Sequence, residues 1–321
     1  MSKKCAVVMF NLGGPDNLDA VKPFLFNLFY DPAIISVPNP LRWMIAKTIS
    51  SRRAPIARNI YREIGNKSPI LEETEKQRVK LENILNNEQE DEYKCFIFMR
   101  YWKPFAKDVV KQVKEYNPDE IILLPLYPQY SITTTGTGII EWNKCAKKEG
   151  LISPYRVIKE YPDHKFFVET MADMIREKLA NVDDKNAYRL LLSAHGLPKK
   201  TIENGDPYQT QVEQTCAALM EVLKDQNLDH VVCYQSRVGP LEWIGPSTED
   251  EIERAGVDGK NIIMVPVAFV SEHSETLVEL DIEYKELADE AGIKDYVRID
   301  TVQDRDKFID GLASLVTEHR I

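Results

Sequence analysis

The sequence predicts an α/β fold of two similar halves, each a doubly wound parallel sheet with helices on both faces. Three observations predict it. Six short apolar runs alternate with longer segments of helical period. The six fall into two sets of three along the chain. One run of each set repeats the same pattern of four apolar residues, a proline and another apolar residue: Ile121-Ile122-Leu123-Leu124-Pro125-Leu126 and Ile262-Ile263-Met264-Val265-Pro266-Val267. A proline cannot donate to a sheet ladder, so it marks a strand end in both halves.

Taken in order, the first run is Cys5–Phe10, which stops at the turn formers Gly13-Gly14-Pro15. An unusually apolar stretch follows over about 23–49. It is read either as ordinary core or as an apolar lip beside the basic pair Arg52 and Arg53. Helical period over Thr74–Leu85 leads to the run Cys95–Met99, and Phe105–Glu115 leads to Ile121–Leu126. The join between halves falls near Pro154–Pro162. The second half reads as helix Phe166–Leu179, strand Leu190–Leu192, helix Gln209–Leu223, strands Val231–Tyr234 and Ile262–Val267, and helix Leu277–Ala288. A last helix, roughly Val302–His319, packs back on one of the halves. The expected domains are therefore 1–158, 159–303 and a terminal helix over 304–321.

Composition narrows the function. Of 321 residues, 43% are hydrophobic and 29% charged, the balance of a folded globular chain. A formal net charge of −10 argues against a general nucleic-acid binder, which needs a basic surface. No stretch approaches the roughly 18–20 apolar residues that span a bilayer. Lys3 and Lys4 precede only Cys5–Phe10 before polar Asn11, too short for a secretory signal. The five cysteines are odd in number and form no CxxC, against a disulfide framework or zinc ribbon and in favour of a reducing cytosol.

Ligands of open parallel sheets sit beyond the carboxyl ends of the strands. The residues there are aromatic and basic in the first half, as in Arg100-Tyr101-Trp102 and Tyr127-Pro128-Gln129-Tyr130. In the second they include His195 and His273. Complementary loops of this kind suggest a ligand cleft between the halves. His195, between Ala194 and Gly196, suits proton transfer or metal ligation, although a loop histidine bonded to backbone fits the position equally well. His273 and Glu275 form a neighbouring imidazole and carboxylate that can share a proton or a cation. Glu275, Glu279 and Glu283 recur every four residues and so share one helix face, either a solvated acidic stripe or a path for a cation or protons. Gly136-Thr137-Gly138 is half of a dinucleotide fingerprint and follows no strand, so nucleotide binding is set aside. Cys233, inside an apolar run, reads as core.

Together these residues resemble the ferrochelatases, which insert ferrous iron into protoporphyrin IX to make protohaem. The matching pieces run in order over nearly the whole chain. They are Asn11-Leu12-Gly13-Gly14-Pro15, Ser68-Pro69-Ile70, Leu126-Tyr127-Pro128-Gln129-Tyr130-Ser131, Ser193-Ala194-His195-Gly196-Leu197-Pro198, Gly205-Asp206-Pro207-Tyr208, Gln235-Ser236-Arg237-Val238-Gly239-Pro240 with Trp243, and Ser271-Glu272-His273-Ser274-Glu275 with Glu279 and Asp281-Ile282-Glu283-Tyr284.

The resemblance implies two flavodoxin-like domains with a porphyrin cleft between them. It makes His195, Glu275 and His273 the catalytic set. It assigns Leu12, Tyr101, Tyr127, Trp243 and Phe269 to the porphyrin and Arg52 and Arg53 to its propionates. Fe2+ is expected as a substrate that touches His195 and Glu275 in passing, with Glu279 and Glu283 serving a cation or proton path. No tightly bound cofactor is expected. Relatives with a 2Fe–2S cluster carry cysteines in a C-terminal extension, whereas this chain has none after Cys233 and has Ile132 after Ser131. The implied enzyme is a cytoplasmic monomer whose apolar lip touches the inner face of the membrane, acting in the last step of haem synthesis. The alternatives are a chelatase for another metal or tetrapyrrole (cobalt or nickel, or coproporphyrin) and a non-catalytic porphyrin or haem carrier.

Overall fold

Strands β1 (Lys4–Asn11), β2 (Glu92–Met99), β3 (Glu120–Pro125) and β4 (Tyr155–Val157) form one parallel sheet in the order β2-β1-β3-β4. Strands β5 (Tyr188–His195), β6 (Asp229–Gln235), β7 (Asn261–Pro266) and β8 (Tyr296–Arg298) form a second, in the order β6-β5-β7-β8. All pairs are parallel, and the two orders are one topology used twice. The structure is a computed structural model that describes residues 2–320 apart from Gln89, Asp183 and Val238, so Val238 of the Gln235–Pro240 motif lies outside the described residues. The chain divides into two units. One comprises Met1–Tyr127, Ser131–Glu160 and Leu312–Ile321; the other comprises Pro128–Tyr130 and Tyr161–Gly311.

The predicted strands are continuous apolar runs because parallel strands are covered on both faces. Val7, Val8, Leu123 and Leu191 are fully buried. The paired prolines behave alike. Pro125 lies opposite Phe10 and Pro266 opposite Ser193. One residue later the amides of Leu126 and Val267 bond the carbonyls of those same partners, at 2.9 and 3.0 Å. β4 and β8 escape a reading by apolar runs because each is a three-residue edge strand carrying an arginine.

In the first unit, helices Ala106–Tyr116 and Thr137–Glu149 cover the sheet. Phe10 stacks on Phe98 (5.0 Å between centroids), and Phe98 on the fully buried Trp142 (6.0 Å). A Cβ at Gly138 would fall 2.5 Å from the Phe10 ring. Gly138 thus serves helix–sheet packing. The apolar stretch 23–49 splits in two. Helix Val21–Phe29 sends Val21, Phe24 and Leu25 into a core with Tyr61 and Tyr101. Helix Leu41–Glu63 starts with Leu41, Trp43 and Met44 exposed at 51%, 43% and 58%. Among the described residues no helix is long and apolar enough to cross a membrane.

In the second unit, helices Lys165–Leu179, Tyr208–Val222 and Thr248–Val257 flank the sheet. The last is capped by Ser247, whose hydroxyl accepts from the Asp250 amide at 3.1 Å. The acidic ladder departs from the predicted single helix. Glu275–Glu283 is a π-helix, and α-helical winding begins only at Tyr284–Glu290. The i→i+5 winding widens each turn, so residues four apart no longer stack in one row. Glu275 and Glu279 are half-buried while Glu283 is exposed.

Candidate active site

His195 ends β5 opposite Gln235, which ends β6. The chain turns at once. The Gly196 amide donates to the Gln235 carbonyl at 2.8 Å, and a Cβ on residue 196 would stand 2.9 Å from that oxygen and 3.3 Å from the Trp243 ring. Glycine is the one residue that fits beneath both. Trp243 is held there by a short antiparallel bridge to Pro198, with Lys199 N donating to Glu242 O at 2.9 Å and Ile244 N to Leu197 O at 3.0 Å.

The loop after β7 brings the second imidazole. The His273 amide donates to Thr276 Oγ1 at 3.0 Å, and that hydroxyl donates back to the His273 carbonyl at 3.1 Å. The ring contacts Phe269, 4.8 Å between centroids, and its Nδ1–H donates to the Ser271 carbonyl at 3.1 Å. This directs Nε2 toward Glu275, whose Oε2 is 3.4 Å away. The same Oε2 is 3.2 Å from His195 Nδ1. His195 Nδ1 is shut off from solvent and faces this carboxylate without an aligned hydrogen bond, while the side chain as a whole stays 35% exposed.

The charges follow from this packing. Burial alone would lower the His195 pKa, but the Glu275 carboxylate, aided by Glu279, outweighs it and raises the pKa above its ordinary value near 6.5. Burial alone would raise that of Glu275, and the two imidazoles outweigh it, holding its carboxyl well below the usual range. Glu279 goes the other way. Burial and the nearby Glu275 charge push it up, although Ser236 and Gln235 donate to its Oε2. Tyr284 OH sits between two acceptors, Glu279 Oε1 at 3.2 Å and Glu249 Oε1 at 3.1 Å.

Three of the expected residues, His195, His273 and Glu279, thus stand around the carboxylate of a fourth, Glu275. Trp243 and Phe269 border them. Glu283 is exposed at the far end of the π-helix. Among the described residues no three His, Cys, Asp or Glu side chains are grouped to hold a metal ion, and all five cysteines are buried free thiols. Reasoning from types and spacing passed over Gln235. It accepts from Ser193 Oγ at 2.9 Å and donates to both the Glu275 carbonyl (3.2 Å) and Glu279 Oε2 (2.9 Å), joining strand end to π-helix. Its place directly after an apolar run was the available signal.

The remaining expected residues are in the first unit. Leu12 follows β1, and its carbonyl accepts from the Tyr101 amide at 3.0 Å. Tyr101 is 1% exposed, with its hydroxyl donating to Asp31 Oδ2 at 3.0 Å and Arg100 paired to the same oxygen at 2.5 Å. It therefore supports the Leu12 loop from beneath. Tyr127 is half-buried against the sheet core. Arg52 and Arg53 are exposed on helix Leu41–Glu63.

Two doubly wound sheets of equal order and an imidazole pair on one carboxylate define an α/β protein of the chelatase fold. Solved structures share that fold. A sirohydrochlorin chelatase, SirB from Bacillus subtilis subspecies spizizenii, superposes with a TM-score of 0.55 at 9% identity over 99% of this chain and 95% of its own. A multi-domain Deinococcus radiodurans protein with structural similarity to chelatases gives 0.56 at 11% identity; this chain is fully covered but spans only 56% of that protein. The family model Ferrochelatase matches residues 4–320. A Pelagibacter ubique (strain HTCC1062) ferrochelatase is 52% identical over 314 residues, 98% of this chain and 90% of the relative. The chain belongs to the ferrochelatase family, enzymes that insert a metal into a porphyrin.

Proposed function

We propose that this chain inserts ferrous iron into protoporphyrin IX to give protohaem, with His195 as the group that accepts pyrrole protons. The observation that carries the assignment is Glu275 Oε2, 3.2 Å from His195 Nδ1. A carboxylate only accepts, so it favours the tautomer with the proton on Nδ1 and leaves the Nε2 lone pair free. Two pyrrole N–H bonds must break as iron–nitrogen bonds form. Fe2+ replaces two protons, so the ring's charge is unchanged while the site must carry two protons away. His195 takes one at Nε2, and the imidazolium is stabilised by Glu275. Glu279, whose carboxyl is pushed up by burial and by Glu275, is the next acceptor. Glu283 at the exposed end of the π-helix leads protons out or iron in. Iron passes His195 and Glu275 as a substrate, and the reading needs no resident cofactor and no iron–sulfur cluster.

Trp243 and Phe269 supply ring contacts in the second unit. For the first unit the reading assigns Leu12 and Tyr127 to the ring, with buried Tyr101 holding the Leu12 loop from beneath, and Arg52 and Arg53 to its carboxylates, which guanidinium groups recognise well. The reaction is that of a lyase forming nitrogen–metal bonds. The enzyme acts as a cytoplasmic monomer, with exposed Leu41, Trp43 and Met44 resting on the inner membrane face.

The test is anaerobic metallation of protoporphyrin IX by Fe2+ or Zn2+, followed by loss of the free-base spectrum. His195→Ala should lose at least about 100-fold in turnover, the scale of a missing general base, while still binding porphyrin. Near-normal turnover by that variant would remove His195 from the role.

A further inference from the structure

Arg298 is the last residue of β8, an edge strand paired with β7 alone. Its side chain is 10% exposed and reaches the segment that carries His273 and Glu275. Nε and Nη2 donate to the two oxygens of Asp281 at 2.7 and 2.8 Å, a bidentate fork. Nη1 donates to Glu272 Oε1 at 2.7 Å and lies 3.4 Å from the Ile299 carbonyl. Glu272 Oε1 is held again by the Thr301 amide at 2.8 Å and hydroxyl at 3.2 Å. Tyr296, two residues back and so on the same face of the strand, donates to the Leu280 carbonyl of the π-helix at 2.6 Å.

β8 therefore grips one stretch of chain at two places. Glu272 immediately precedes His273, and Leu280-Asp281 follow Glu279. His273, Glu275 and Glu279 lie between the two grips. Arginine is among the least often buried residues, and buried ion networks are inefficient stabilisers compared with apolar packing. What a saturated guanidinium fork supplies is fixed geometry. The segment it fixes needs this, because a π-helix is the least regular of helical windings and its side-chain rows depend on the exact turn held.

We propose that Arg298 is a positioning residue: by clamping Glu272 and Asp281 it holds Glu275 Oε2 against His195 Nδ1. The proposal rests on the reading of His195 and Glu275 as the reacting pair. Its mechanical part does not depend on that reading. The experiment uses the full chain carrying Arg298→Ala, Arg298→Lys or Asp281→Asn. Steady-state zinc metallation of protoporphyrin is measured beside peptide-resolved hydrogen exchange and thermal melting.

The expected result is a fall in kcat of roughly 10–100-fold, as for loss of groups that orient the ligands of a reacting site, with KM for porphyrin within about twofold of wild type. Exchange should quicken over residues 272–283 and not over the rest of the sheet. Added methylguanidinium should restore part of the activity of Arg298→Ala, and Arg298→Lys, lacking the fork, should stay slow. Asp281→Asn keeps the Glu272 grip and should show the milder form of both effects even if Arg298→Ala folds poorly. Unchanged exchange over 272–283 in the folded variants overturns the clamp. So does a loss of activity that guanidinium cannot restore and that tracks quickened exchange everywhere. A wild-type protein that binds porphyrin without metallating it, yet shows the localised exchange change on substitution, keeps the clamp and overturns the reading of His195.

Discussion

Glu275 presents Oε2 to His195 Nδ1 at 3.2 Å, across the gap between the end of β5 and the first residue of the π-helix. The two charges move each other's titration in opposite directions. That of His195 rises and that of Glu275 falls, which keeps the carboxylate ionised and makes the imidazole a better base.

A pH prediction follows from that pair. Protonated His195 cannot accept, so kcat/KM should climb with pH through its raised pKa. Glu275→Gln removes the opposing charge and leaves burial dominant, so the acid limb should move to lower pH by about 1–2 units while the plateau falls. The pair also contributes to stability in a defined window. The His195 contribution is full below the unfolded value near 6.5 and is lost as pH rises through the folded one; the Glu275 contribution is full above about 4.3 and is lost as pH falls through its folded value. The stability gap between wild type and Glu275→Gln should therefore peak between about pH 4.3 and 6.5. A pH–rate profile unmoved by the substitution would show that Glu275 does not tune His195.

Glu279 is expected to cost stability at neutral pH. The Tyr284 hydroxyl faces Glu279 Oε1 and Glu249 Oε1 with a single proton, and the Glu279 carboxyl is raised. A raised acid holds its proton longer in the folded chain, so its cost is absent at low pH and appears as pH rises through the folded value. Glu279→Gln brings an amide that donates to Tyr284 O, leaving the phenol proton for Glu249, and its oxygen still accepts from Ser236 and Gln235. At pH 8 the variant should be more stable by about 1 kcal/mol, roughly 2–4 °C in Tm, with the gain vanishing below about pH 4. Calorimetry at both pH values decides; a lower Tm at pH 8 contradicts the account.

Arg320 should matter to the first unit out of proportion to its distance from any site. It donates to Glu120, which is 2% exposed, and to Tyr93, and it pairs with Asp91 at 2.9 Å. Arg320→Ala strips Glu120 of its guanidinium and should destabilise by about 3 kcal/mol. Adding Glu120→Gln should recover part of the loss, a coupling that urea titration of the double-mutant cycle would measure. Strictly additive losses would show that the pair does not interact.

Six strands were legible because buried parallel strands are apolar on both faces, and the repeated proline pattern marked the two halves. The edge strands β4 and β8 were not, since three residues with an arginine carry no period. His195, His273 and Glu275 were visible as chemical types at strand ends, and the resemblance named their roles. The π-helix was not visible, because residues four apart look the same in sequence whether the turn bonds to i+4 or i+5. A further regularity emerges only with the register. Phe10 and Ser193 both face the repeated proline, so two residues on, Leu12 and His195 are equivalents. Leu12-Gly13-Gly14-Pro15 and His195-Gly196-Leu197-Pro198 thus leave equivalent strand ends, apolar in one half and basic in the other, although Gly13 takes a left-handed φ of 83° and Gly196 does not. Arg298 and Gln235 were missed for another reason: their work is to hold other side chains, and a lone arginine or glutamine announces no chemistry.

The strap formed by Arg320 also sets an order of events during synthesis. Its partner Glu120 lies 200 residues upstream. At a translation rate of about 5–20 residues per second, Glu120 leaves the ribosome roughly 10–40 s before the guanidinium that pairs with it. The unit that is made first is finished last. Throughout that interval the nascent chain must keep the first sheet folded without its closing residue, and a stalled or truncated message would leave it so.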